Sequence, residues 1–147
     1  MSGINPLKNF TSLLIVFFMG GLGSTLRFLV VQTTNNLLNT NFPWGTLVVN
    51  IVGSILIGGI GGASAGMTGL KQEVHLACVV GLLGGFTTFS AFSWETISLS
   101  QKSGVTTALF YVALTNILGI GAAFLGYLAI AQNHGANLHG INFYSGK

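Results

Sequence analysis

Aspartate is absent from this sequence, and only two glutamates, Glu73 and Glu95, stand beside five basic side chains in 147 residues. An intramembrane enzyme is the least supported class: no carboxylate pair exists in an apolar stretch, and His75, at the edge of one, has no evident nucleophile partner. Lys8, Arg27, Lys71, Lys102 and Lys147 are scattered singly, so the formal charge of +3 forms no patch that could grip nucleic acid. Cysteine occurs once, as Cys78 in an apolar run, which excludes an internal disulfide and a Cys/His zinc site. None of the glycine clusters completes a dinucleotide fingerprint after a strand.

What remains is apolar. Half of the residues are hydrophobic and 5% are charged, against roughly 25% in an ordinary soluble chain. With a mean hydropathy of +0.74, this is the composition of a membrane protein. At about 20 residues per crossing, one all-α membrane domain of four helices fits. The windows are about 12–32, 45–66, 75–100 and 104–131, followed by a polar tail over 132–147 in which His134 and His139 read as solvent-exposed. The first window runs too long for a signal peptide, precedes further spans and is read as retained. The Asn-rich connector "TTNNLLNTNFPW", with Pro43, is expected to stop the first helix.

Four spans place Lys8, Lys71 and Lys147 on one side, and Lys102 with or without Arg27 on the other. So weak a positive-inside bias permits insertion in both orientations, and two copies meeting antiparallel. In the second window Asn50, Ser54, Gly58, Gly62 and Gly66 recur every four residues, a stripe that admits a close helix. Packing within the chain and a seam between two chains explain it equally well.

Polar atoms in hydrocarbon are costly unless partnered, so their positions carry the functional signal. The third window holds "GLLGGFTTFSAFSWET" (81–96). Gly84 and Gly85 weaken the helix, and the hydroxyls of Thr87 and Thr88 compete for its backbone. An interruption near mid-membrane is expected, whose freed carbonyls and amides suit ions. Phe89 and Phe92 share a face with the interruption. They are either packing residues or rings whose positive edges line a path for a small anion, held weakly enough to leave. Glu95 is the one acid inside a window. It either snorkels, pairs with Arg27 or Lys102, or lines a vestibule, and as a lone carboxylate it also keeps a proton-coupled exporter of fluoride or drug in view. A non-conducting membrane scaffold is the other alternative.

"GGFTTFSAFSWE" closely resembles the signature of the CrcB/Fluc family of fluoride channels. "GGLGSTLRF" (20–28), "GTLVVNIVGSILIG" (45–58) and the pair Tyr111 and Thr115 are similar to that family's first, second and fourth spans. The resemblance implies an antiparallel, dual-topology homodimer in the inner (plasma) membrane, multi-pass, with two pores for passive fluoride export. Phe89 and Phe92 would be the pore rings, with Asn50, Thr88, Ser90, Tyr111 and Thr115 as polar contacts. Arg27 and Glu95 would serve as vestibule or structural charges. Gly84 and Thr87 would hold a structural sodium ion at the dimer interface through main-chain carbonyls. Ala91 stands where the signature commonly has Thr or Ser, and Gly119 where some members carry serine.

Overall fold

The computed structural model describes residues 6–65 and 72–132, and the expectations for residues 66–71 and the tail from 133 lie outside them. Four helical stretches, Phe10–Leu38, Trp44–Ala63, Leu76–Ser103 and Val105–Ala131, are each long and apolar enough to cross a membrane. Their large apolar side chains largely face outward, as do Phe17, Phe28, Phe110, Ile117, Ile120 and Leu125. In lipid such exposure is the favourable arrangement, since no water is there to be avoided.

Helix α1 spans Pro6–Leu38, six residues beyond the expected end. At 1.5 Å per residue it is about 50 Å long, against a hydrocarbon thickness of about 30 Å. The residues "TTNNLL" continue the helix because no glycine or proline stops it before the chain turns. It ends where Asn39 takes a positive φ of 42° and its amide bonds the Asn35 carbonyl at 3.0 Å. Asparagine tolerates that left-handed cap better than most residues. Thus the turn chemistry of the connector acts at its far end, and Pro43 leads directly into α2, Trp44–Ala65.

The third span is composite. A short helix, α3 (Gln72–His75), runs into a wider π-helical stretch over Leu76–Leu83, then one turn of α4 (Gly84–Phe86). After Thr87 and Thr88, which are extended, α5 runs Phe89–Ser103 and α6 runs Val105–Ala131. Helix α1 packs on the π-helical stretch and α4, whereas α6 packs chiefly on α2 and also on α5.

Glycine sets both of these contacts. A methyl group added to Gly58 would strike the Ala123 carbonyl, and one on Gly126 would strike that of Ile55. One on Gly62 would strike the Tyr127 carbonyl and crowd the Ala131 amide. Thus Gly58 and Gly62, two members of the small-residue stripe, are occupied by α6 of the same chain. Across the fold, Gly23 abuts the Leu82 carbonyl and Gly85 that of Gly20. Where the α2, α5 and α6 surfaces meet, Leu47, Phe92, Leu99 and Tyr111 form the buried cluster.

One residue makes the turn between α5 and α6. Gly104 has φ 91° and ψ 158°, its amide closes α5 on Ser100 at 3.1 Å, and its carbonyl opens α6 by accepting from Ala108 at 3.3 Å. That backbone region is open to glycine alone, at a cost of about 1–3 kcal/mol for other residues. No atom lies within 4 Å of a methyl group placed there, so any loss is conformational. Gly104→Ala is expected to lower stability by about 1–3 kcal/mol, read as a lower midpoint of thermal unfolding in detergent.

Candidate functional site

Thr87 (φ −77°, ψ 159°) and Thr88 (φ −152°, ψ 123°) leave the helical region between α4 and α5. Two extended residues inside an apolar helix release backbone groups that lipid cannot satisfy. Each has a partner. The Thr87 amide and hydroxyl both donate to the Leu83 carbonyl, at 2.9 Å each. The Thr88 amide donates to Asn50 Oδ1 at 3.0 Å, and Asn50 Nδ2 donates back to the Thr88 carbonyl at 3.2 Å. One carboxamide on α2 thereby takes both sides of a peptide partner. Arg27 Nη1 reaches the Thr87 carbonyl at 3.4 Å, and Ser24 Oγ the Gly85 carbonyl at 3.3 Å, so α1 supports the same region.

Thr88 then starts the next helix. Its Oγ1 accepts the Ala91 amide at 3.2 Å, the N-cap bond that lets α5 begin abruptly, and also lies 3.2 Å from Ser90 Oγ. Phe89 and Phe92 leave the first turn of α5 with their ring centroids 5.6 Å apart. Their environments differ. Phe92 is 9% exposed and packs on Tyr111, centroid to centroid 5.3 Å, whereas Phe89 is 79% exposed.

A cavity of about 360 Å³ opens beside these rings, lined by Asn50, Ser54, Thr88, Phe89, Phe92 and Thr115 among others. Gly84, Thr87 and Asn116 also border it, and no charged side chain among the described residues does. Thr115 Oγ1 is buried and, although it lies near the Tyr111 hydroxyl, forms no hydrogen bond of acceptable geometry among the described residues. An unpaired buried hydroxyl is uncommon and calls for a ligand or a water.

Glu95 sits apart from that cavity. Its carboxylate accepts the Thr46 hydroxyl at 2.7 Å and the Tyr111 hydroxyl at 3.0 Å. Among the described residues it has no ion pair with Arg27 or Lys102; two hydroxyl donors from α2 and α6 hold it instead. It also borders a second cavity of about 360 Å³ at the α1–α2 turn, together with Asn35, Asn41, Trp94 and Lys102.

Of the residues singled out in the sequence, Asn50, Thr88, Phe89, Phe92 and Thr115 therefore converge on one cavity, bordered also by Gly84 and Thr87. Ser90 adjoins it through Thr88, Tyr111 stands behind Phe92, Arg27 bonds the extended backbone, and Glu95 faces the other cavity. Thr46, which is 2% exposed, was not singled out. Its signal was its position one turn before Asn50, on the same helical face.

Residues 14–127 match the family described as CrcB-like protein, Camphor Resistance (CrcB). A protein of Agrobacterium fabrum named fluoride-specific ion channel FluC is 43% identical over 114 residues, covering 78% of this chain and 90% of its own length. One of the same name from Granulibacter bethesdensis is 44% identical over 114 residues, with 78% and 90% covered. Another, from Phocaeicola vulgatus, is 43% identical over 116 residues, with 78% and 94% covered. By these matches the chain belongs to the CrcB family.

Proposed function

We propose that this chain is the subunit of a fluoride channel of the plasma membrane, which lowers cytoplasmic fluoride by passive, electrogenic efflux. The observation that carries the reading is the uncharged cavity in which Asn50, Thr88 and the unpaired Thr115 hydroxyl meet the rings of Phe89 and Phe92. The named activity of the relatives agrees with it.

Fluoride is small and strongly hydrated, and stripping it bare into an apolar medium costs on the order of tens of kcal/mol. Hydrogen-bond donors must replace its water. Asn50 spends one amide hydrogen on Thr88 and keeps the other. Hydroxyls add one donor each, and aromatic edges add weak positive contacts without a full charge. A lysine in their place would bind the ion too firmly to pass it on. The amino end of α5 also points its first amides toward the interruption, where they favour an anion. Neutral HF crosses lipid, ionises at the higher internal pH and is trapped as the anion. An interior-negative potential then drives that charge outward by about 2.3 kcal/mol per 100 mV, and no pump is required.

The same reading takes the functional unit as an antiparallel homodimer with two pores, its third span interrupted at mid-membrane depth. Phe89 supports this, because an exposed ring beside a polar cavity needs a second surface to complete the wall. The carbonyls of Gly84 and Thr87 would hold a sodium ion at the interface, supplying fixed positive charge that steadies the interruption. The donors suit it. With the Thr88 amide on Asn50, the Gly84 carbonyl has lost its helical donor, and the Thr87 carbonyl keeps a lone pair beyond the Arg27 contact. Neutral main-chain oxygens are fitting ligands for a hard monovalent cation.

Phe89→Ile and Phe92→Ile keep bulk and apolarity while removing the ring edge. Each is expected to abolish fluoride efflux from liposomes under clamped voltage with the protein still eluting as wild type; unchanged efflux would count decisively against the ring path. Asn50→Ala leaves both Thr88 backbone groups unpaired, at about 1–3 kcal/mol for each buried group. It should therefore lose thermal stability along with flux, a joint loss that substitution of the exposed Phe89 does not share.

A further inference from the structure

Resting on that channel reading, we infer that Ser54 is an ion-contacting residue of this chain, forming with Thr115 a second polar station one helical turn past Asn50. On α2, Asn50 and Ser54 stand one turn apart on one face, and both line the cavity. On α6, Thr115 and Gly119 are spaced in the same way. The first rung of the α2 ladder is engaged, since Asn50 is tied to Thr88. The second is not.

A serine inside a helix commonly turns its hydroxyl back to the carbonyl four residues earlier. Ser54 Oγ makes no such bond here, nor any other among the described residues, whereas the hydroxyls of Thr25, Ser93 and Thr96 all do. Its direction is fixed by the residue opposite. A Cβ built on Gly119 would stand 3.6 Å from Ser54 Oγ, so the hydroxyl faces the bare turn of α6. Glycine at 119 leaves that space open.

The apolar lining contributed by Ile57, Val79 and Leu83 offers no acceptor side chain, and the Thr115 hydroxyl on the same cavity is itself without a hydrogen bond of acceptable geometry among the described residues. Two unengaged hydroxyls in an uncharged cavity form a site for a small, desolvated anion, to which each donates one hydrogen bond. The hydroxyl that α6 lacks at Gly119 is thus delivered from α2.

Fluoride efflux from liposomes holding the purified protein tests the assignment. Hydrogen bonds to a charged partner are strong enough that Ser54→Ala should slow fluoride flux about ten-fold or more, with elution volume and thermal midpoint unchanged. The double substitution Ser54→Ala/Gly119→Ser returns a hydroxyl to the gap from the other helix, across a separation that an added Cβ fits without a clash. It should recover most of the flux, which a packing defect at Ser54 would not. If Ser54→Ala fails to fold, Ser54→Cys decides, since its weak S–H donor should conduct at an intermediate rate and full flux would overturn the assignment. Undiminished flux in Ser54→Ala alongside its loss in Phe92→Ile overturns the Ser54 station and leaves the channel standing. Lost flux without rescue by Gly119→Ser likewise overturns ion contact. A wild-type protein that passes no fluoride overturns both readings together.

Discussion

The pairing of Asn50 with Thr88 is the constraint on which the rest of the fold depends. A helix in lipid can be interrupted only if something replaces the hydrogen bonds it gives up. Asn50 offers a carbonyl and an N–H side by side, as a peptide does, and bonds the Thr88 amide at 3.0 Å and its carbonyl at 3.2 Å. Aspartate there would lack the donor, and leucine would lack both. With the backbone satisfied, the Thr88 side chain is free to cap α5, and that helix can start in a new direction. The positions of Phe89 and Phe92 follow from where α5 starts, as does the loss of a helical donor at the Gly84 carbonyl.

Charge is kept away from the cavity that this arrangement creates. Arg27 is directed to the Thr87 carbonyl, and Glu95, which does not line the cavity, is held by Thr46 and Tyr111. Both are hydrogen-bonded to structure within the spans. Tyr111 joins the two regions: its ring packs on Phe92 and its hydroxyl ends on Glu95, and it is wholly buried. A carboxylate anchored by two donors from different helices suits a brace between α2, α5 and α6 better than a group that must swing to carry protons.

The four spans were legible because composition alone decides which segments lipid accepts, and α2 and α6 fall within a residue or so of their expected bounds. The end of α1 was not, since "TTNNLL" carries local turn chemistry that a continuing helix overrides until Asn39 provides a left-handed cap. Glycines and threonines mark the place where Thr87 and Thr88 are extended, but the wide π-helical turns over Leu76–Leu83 left no compositional trace. At the site, residue types pointed to the cavity through helical spacing and through family resemblance. The partnerships were invisible for a plain reason: Asn50 meets Thr88 across 38 positions and Thr46 meets Glu95 across 49, distances at which only the packing of α2 against its neighbours brings side chains together. The glycine stripe was ambiguous for the same reason, because a thin surface does not say which helix will cover it.

The open side of the cavity bears on the proposed assembly. Gly84, Phe89 and Asn116 border the cavity and are exposed in the single chain, so the cavity is open on that side. Closing it with lipid would put acyl chains against amide and hydroxyl groups, which lipid cannot satisfy. A second copy related by a two-fold axis lying in the membrane plane would bring an inverted surface of the same kind, apolar rings included. Any two-fold contact repeats each of its features twice. One cavity per chain would then become two equivalent paths per pair, running in opposite chain directions through the same membrane. A weak charge bias between the two membrane-facing sides of the chain is what would allow such inverted copies to be made from a single sequence, so the scarcity of charge and a doubled path would be two consequences of one composition.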